Sequence, residues 1–238
     1  MFRTFTIRGQ PPVRVHRIPM GMAPGYLVET DGGLLLIDAG SVHQEGQVVR
    51  AMQELGRDDL RLIFITHAHL DHYGSAAALR RITGAPIAVH HLDSDPLAQG
   101  RTPIGSARHW QGATLLMLQQ TLDPLLRPPA IRADLLLEDG DVLPWPGCRA
   151  WIVHTPGHTL GSASLLLEDQ IAFVGDLLSC TGRPHAQRWL AQDWRAIPES
   201  VRRIQALAPE WVIAGHGHRP LSRSELLQLD PTPQHPAG

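Results

Sequence analysis

Cysteine is scarce: Cys148 and Cys180 are the only two in 238 residues. So few thiols cannot build a disulfide scaffold, and two reduced, partly buried side chains are expected. Charge of one sign is lacking too. Twenty-one basic residues meet 23 acidic ones, for a net charge of −2, so no basic surplus asks for nucleic acid or an anionic membrane. No apolar run approaches the length of a bilayer span. Residues 1–10 carry Arg3 and Arg8 without the apolar stretch of a secretory signal. The expectation is a cytoplasmic protein acting on a small molecule, with no nucleic-acid or membrane partner. What is present is apolar material, 43% of the chain against 18% charged, enough for a packed core and too much for intrinsic disorder. Histidine is abundant at 14 residues, a pointer to metal binding or acid–base work that only the positions can sharpen.

Patterning along the chain supplies the architecture. Residues 4–8 and 13–18 alternate as strands, and residues 26–30 and 34–38 read as two more around the turn Asp31-Gly32-Gly33. Leu34 to Ile37 is a continuous apolar run, as in a strand covered on both faces. Val48, Val49, Met52 and Leu55 share a face of a helix over 44–55 stopped by Gly56. A buried strand at 62–65, a loop at 67–74, a helix at 75–82 and a strand at 86–90 follow. The second half repeats the theme, with strands at 135–138, 150–154, 164–168, 171–174 and 211–214 and a helix at 192–207. Two such halves predict two sheets packed face to face with helices outside. Residues 1–229 are read as one domain, with a helical insertion at about 100–130 and a disordered tail at 230–238. The insertion helix, at 107–126, either lies over the site and selects substrate or serves as a packing or homodimer face.

The chemistry concentrates in Thr66-His67-Ala68-His69-Leu70-Asp71-His72. Three imidazoles and a carboxylate follow a buried strand, where α/β sheets place their active sites. His67 and His69, two apart in an extended turn, face one way and can share a metal. Asp71 and His72 diverge from them and suit a second. Imidazole and carboxylate are fitting ligands for zinc and neighbouring divalent ions. Further donors stand at strand-to-loop boundaries: His158 in Pro156-Gly157-His158-Thr159, Asp176 after Val174-Gly175, and His216 in Gly215-His216-Gly217.

The ordered motifs Leu36-Ile37-Asp38-Ala39-Gly40, His67 to His72, Gly157-His158-Thr159, Gly175-Asp176 and Gly215-His216-Gly217 resemble the metallo-β-lactamase superfamily over nearly the whole chain. That resemblance implies an α/β fold, the four-layer αββα sandwich. It implies two divalent ions, zinc first, with iron or manganese on the same ligands. His67, His69 and His158 would bind one ion, Asp71, His72 and His216 the other, and Asp176 would bridge them. Asp38 would support the ligands rather than bind. It also implies a binuclear hydrolase in which a metal-bridging hydroxide attacks an ester-like bond (thioester, lactone or activated ester), with catalytic roles at Asp71 and His216. β-Lactam hydrolysis, phosphodiester hydrolysis and a persulfide dioxygenase with a single iron are the alternative activities on the same fold. A non-catalytic module is disfavoured because no ligand is missing.

Substrate contacts are read from loop position alone. Met20, Met22, Tyr73, Trp110, Arg183, His185 and Trp189 are the candidates. Arg183 either holds a substrate carboxylate or phosphate or is an exposed loop arginine. His154, inside a strand pattern, is read as structural, His90 and His91 as hydrogen-bonded or surface groups, and Cys180 as no ligand.

Overall fold

Leu34, Leu35, Leu36 and Ile37 lie in a strand in which every side chain is buried. Successive strand residues point to opposite faces, so each face of this strand needs its own cover. Leu34 and Leu36 pack with Ile63 and Ile65 beneath the helix residues Val48, Met52 and Leu79. Leu35 and Ile37, with Leu62 and Phe64, meet Ile152, Leu165 and Phe173 of a second sheet. The outer face of that second sheet (Val153, Leu166, Ala172 and Val212) is covered by Ile197, Val201 and Ile204 of the helix Ala196–Leu207. Three apolar layers thus separate four layers of secondary structure, the αββα sandwich that the sequence led one to expect. Each large side chain so buried contributes roughly 1.5–3 kcal/mol before conformational entropy is subtracted. The computed structural model describes residues 2–5 and 13–233.

The first sheet runs in the order Phe2–Phe5, Val13–Pro19, Pro24–Thr30, Gly33–Ile37, Leu60–Ile65, Ile87–His90, Leu135–Leu137. It begins as an antiparallel meander and becomes parallel from Gly33–Ile37 onward. The second sheet has the order Leu221–Ser222, Trp211–Ile213, Ile171–Phe173, Ala163–Leu167, Ala150–His154. Its pairings leave Ala150–His154, Ile171–Phe173 and Trp211–Ile213 running in one direction. The loops that leave the carboxyl ends of Leu60–Ile65, Ile87–His90 and these three strands carry all the chemistry. Among the described residues, no helix is long and apolar enough to cross a membrane.

Several elements differ from the sequence reading. The first strand is Phe2–Phe5, paired with Val13–His16, and residues 6–8 of the strand expected at 4–8 lie outside the described residues. The loop expected at 67–74 contains a helical turn, Leu70–Tyr73. The helix expected from 192 begins at Ala196, because the preceding backbone is committed elsewhere. Leu190–Ala191 pair with Ser106–Ala107, and the amides of Gln192 and Asp193 donate to the carbonyls of His158 and Gly157. A three-stranded sheet of Leu178–Cys180, His185–Ala186 and His216–Gly217 was not anticipated. Nor was the helix Arg223–Gln228, although Ser222 and Glu225 form the reciprocal capping box that Ser-x-x-Glu announces. The insertion helix is His109–Leu126. Of the expected disordered tail, residues 234–238 lie outside the described residues.

Candidate metal centre

The strand Leu60–Ile65 ends, the chain bends at Thr66 and His67, and His69 is extended again at φ −91° and ψ 146°. Past this bend the His67 and His69 rings come together, their centroids 4.7 Å apart. The turn Leu70–Tyr73 then folds the chain back, with the His72 amide donating to the His69 carbonyl at 2.9 Å, and brings His72 over His67 with ring centroids 4.1 Å apart. His158 closes the other side, its centroid 4.7 Å from His67 and 4.3 Å from His69. Asp176, on the turn after Ile171–Phe173, places its carboxylate 3.4 Å from each of His72, His158 and His216 Nε2. All seven donors expected from the sequence meet here. They form three overlapping groups with ligand atoms within 4.8 Å: His67, His69 and His158; His67, His72 and Asp176; Asp71, His72 and His216.

The hydrogen bonds behind the rings set which nitrogen faces inward. His72 Nδ1 donates to Asp38 Oδ2 at 2.7 Å, which turns its Nε2, buried and without a hydrogen-bond partner, toward the cluster. His67 Nδ1 lies 3.0 Å from Thr66 Oγ1, which itself donates to Asp38, and His67 Nε2 is likewise buried and unpartnered. His69 Nε2 donates to the Pro103 carbonyl at 3.0 Å, and His158 Nδ1 donates to the Leu190 carbonyl at 2.9 Å. His69 Nδ1 and His158 Nε2 face each other at 2.9 Å. Two ring nitrogens that close, beside Nε2 atoms of His67 and His72 and an Oδ1 of Asp176 that have no hydrogen-bond partner, fit a cation. Buried polar atoms without partners are otherwise costly.

Asp38 pins this arrangement by accepting from the Thr66 amide at 2.8 Å, the Thr66 hydroxyl and His72. Its φ of 59° is left-handed, a conformation non-glycine residues seldom adopt and one that clusters at functional sites.

Electrostatics divide the cluster. Burial, reinforced by neighbouring imidazoles, pushes His67 well below its ordinary value, and burial with His69 brings His158 to about 4. These rings are neutral, as ligands must be. Burial alone would lower His72 too, but Asp38, Asp176 and Asp71 hold it well above. Asp176 above all raises His216 to about 10. Burial would raise the Asp71 carboxyl, yet His72 and His216 hold it at about 2.

Close packing leaves no slack. A Cβ on Gly215 would collide with Asp176 Oδ1 and stand 3.0 Å from His72 Cε1. Gly215→Ala is therefore expected to cut metal affinity and turnover roughly tenfold to a hundredfold. Gly46→Ala, whose Cβ meets nothing within 4 Å, should leave both unchanged. Metal content of the two variants purified side by side checks this, and equal content would contradict it.

Above the cluster opens a cavity of about 390 Å³, lined by Met22, His185 and Trp189 among the expected contacts and also by Leu115 and Leu118 of the insertion helix. Four expected contacts lie elsewhere. Tyr73 is 1% exposed, packs in the helix-side core and donates its hydroxyl to the Arg101 carbonyl. Met20 is wholly buried in the same core. Trp110 is 74% exposed and lies outside the cavity lining. Arg183 is an exposed loop residue whose carbonyl accepts from His185. His154 stacks on His90 at 4.0 Å, away from the cluster. Cys180 is buried, its thiol pushed up to about 11 by burial, so it is unreactive.

Sequence reasoning missed Asp93 and Arg188. Asp93 is 1% exposed, and its Oδ2 accepts from the Ala68 amide at 2.7 Å and the Thr159 hydroxyl at 2.8 Å, while its Oδ1 accepts from the Gly161 amide at 2.9 Å. It ties the loop of His67 and His69 to the loop of His158. The one available signal was its position just past the carboxyl end of Ile87–His90. Arg188 lines the cavity and carried no motif at all.

Such an edge on such a sandwich defines a class, the metal-dependent hydrolases of αββα fold. The chain belongs to the metallo-β-lactamase superfamily, whose sequence profile matches residues 20–216. It is 28% identical over 227 residues to the "Probable metallo-hydrolase YflN" of Bacillus subtilis, covering 85% of this chain and 83% of that one. It is also 28% identical over 223 residues to a hydroxyacylglutathione hydrolase of Cereibacter sphaeroides, covering 90% and 73%. The B3 metallo-β-lactamase BLEG-1 superposes with a TM-score of 0.72 over 91% of this chain and 98% of its own, at 23% identity; that likeness speaks to the fold.

Proposed function

We propose that this protein is a binuclear hydrolase of an ester-like bond (a thioester, lactone or activated ester) in a small-molecule substrate. His67 Nε2, His69 Nδ1 and His158 Nε2 hold one divalent ion. Asp71, His72 Nε2 and His216 Nε2 hold the second, and Asp176 is shared between them. Zinc suits this nitrogen and oxygen set best. The observation that carries the reading is the approach of two imidazole nitrogens to 2.9 Å beside the unpartnered nitrogens of His67 and His72. Divalent ions bound there lower the pKa of water and polarise a carbonyl oxygen.

The chain's own groups do the rest. Asp71, ionised throughout the neutral range, has Oδ2 3.4 Å from His216 Nε2 and orients the attacking water. Asp38 holds the tautomer of His72, and the Pro103 and Leu190 carbonyls hold those of His69 and His158. Met22, Leu115, Leu118 and Trp189 keep the approach apolar, which strengthens every charge interaction at the floor. The name of the hydroxyacylglutathione hydrolase relative favours the acyl-transfer side of the superfamily.

Metal stoichiometry on protein purified without chelator, with a panel of thioester, lactone, β-lactam and phosphodiester substrates, tests the reading. The expected result is about two zinc-like ions per chain and hydrolysis of an ester-like substrate that is lost on chelation. One iron per chain with oxygen-dependent consumption of a thiol substrate would overturn it in favour of the dioxygenase.

A further inference from the structure

We propose that the cavity takes an acyl substrate that carries an anionic group apart from the scissile carbonyl, and that Arg188 is the cation that grips it. The inference rests on the hydrolase reading and adds the substrate class.

The walls and the charge of the cavity point in two directions that one kind of ligand reconciles. Met22, Leu115, Leu118 and Trp189 present apolar surface, and the first three are 58%, 44% and 51% exposed. Apolar side chains gathered at the mouth of a cavity and left in water mark a binding surface. Among them stands Arg188, whose guanidinium lies over the Trp189 ring, 4.9 Å from its centroid. Its Nε is buried without a hydrogen-bond partner.

Some arginines of this chain have carboxylate partners, as Arg14 with Glu29, Arg57 with Asp59, Arg203 with Asp139 and Arg219 with Glu225, and others have none. Arg188 is in no ion pair among the described residues. The two carboxylates that share its cavity, Asp71 and Asp176, are engaged with His72, His158 and His216. Partial burial lowers the affinity of Arg188 for its proton.

A partly desolvated guanidinium with no counter-charge costs free energy in the empty protein. A ligand carboxylate or phosphate supplies what is missing, in the geometry the guanidinium fork prefers. The volume of about 390 Å³ fits a small acyl compound. The loop arginine considered from the sequence for this role, Arg183, is outside the cavity lining; the tertiary fold gives the position to its neighbour five residues on.

Matched thioesters test the proposal. Octanoyl-N-acetylcysteine and octanoyl-N-acetylcysteamine differ by one carboxylate, and octanoyl-4′-phosphopantetheine and octanoyl-pantetheine by one phosphate. Hydrolysis of each gives octanoate and the free thiol. The anionic member of at least one pair should be favoured about tenfold to a hundredfold in kcat/KM, carried by KM. Which pair shows it identifies the anion.

Arg188→Gln should collapse the ratio within the pair, and Arg188→Lys should restore part of it. Equal rates within both pairs in the unsubstituted protein would overturn the proposal while leaving the hydrolase intact. So would an Arg188→Gln variant that slows both members alike, the signature of a merely structural arginine. Should no thioester be cleaved, the hydrolase reading falls, and calorimetric titration with the uncleavable S-octyl thioethers of the same four thiols decides the inference alone. Anion-dependent binding lost in Arg188→Gln sustains it, and binding without preference overturns it.

Discussion

Asp176→Ala is expected to lower kcat/KM by on the order of a thousandfold or more, about 4 kcal/mol of transition-state stabilisation, and to leave less than two ions per chain. Its carboxylate stands 3.4 Å from His72, His158 and His216, and its Oδ1 has no hydrogen-bond partner. Removing it takes a carboxylate that, among the described residues, alone reaches both groups of imidazoles, and it leaves Asp71 as the one counter-charge shared by His72 and His216. The fold should survive, because Asp176 lies on a turn outside all three apolar clusters.

Metal-free protein offers a second reading of the same variant. Asp176 is held well below its ordinary 3.8, chiefly by His216 and His72 against burial, and His216 is raised from 6.5 to about 10. The depressed carboxyl stabilises the fold above its unfolded value, and the raised imidazole does so below its own. Their joint contribution is thus fullest between pH 3.8 and 6.5 and fades as pH rises toward 10. After chelation, the loss of Tm in Asp176→Ala should be largest in that window. Two ions per chain with full turnover in Asp176→Ala would end the binuclear account.

Asp93→Asn is expected to cost roughly tenfold to a hundredfold in metal affinity and activity, although Asp93 touches none of the proposed ligands' inward atoms. Its three hydrogen bonds all come from donors: the Ala68 amide, the Thr159 hydroxyl and the Gly161 amide. A carboxylate accepts all three, whereas a carboxamide must turn an NH₂ toward one of them. Ala68 lies between His67 and His69, and Thr159 follows His158, so the mismatch falls on the spacing of one three-histidine group. Burial raises the Asp93 carboxyl above its ordinary value despite those donors. Its ionised form therefore weakens folding at neutral pH, and its worth lies in aligning the two loops. The variant should lose metal before it loses Tm. Unchanged metal affinity, measured by competition with a chromogenic chelator, would remove Asp93 from the site.

Both experiments bear on residues of unequal legibility. Asp176 was readable from the sequence, and so were His67, His69, Asp71, His72, His158 and His216, because a metal site is assembled from local patterns. Donors two apart just past a buried strand come to one site, and glycine beside a donor permits the tight turn that presents it. Apolar runs just upstream mark the strands whose ends carry the loops. The unbroken apolar run Leu34 to Ile37 settled the layers in the same way: four consecutive apolar residues require cover on both faces, so a sheet must lie between helices and a second sheet.

Other features depend on distance through space, which no spacing encodes. Tyr73 follows His72 directly, yet a helical turn separates adjacent side chains by about 100°, and the turn that aims His72 at the cluster buries Tyr73 in the core. The helix expected from residue 192 waits until Ala196, because Gln192 and Asp193 lend their amides to the His158 loop. Asp93 and Arg188 matter through groups 25 or more positions away in the chain or through an absent counter-charge, and neither leaves a local mark. What this sequence determined by itself was the layered fold and the identity of the donors, since both follow from periodicity and short-range geometry. The close approach of His69 to His158, the carboxylate that holds their loops in step and the cation left unpaired in the cavity were decided by the tertiary structure alone, because each is a relation between segments that only the packing of the two sheets brings together.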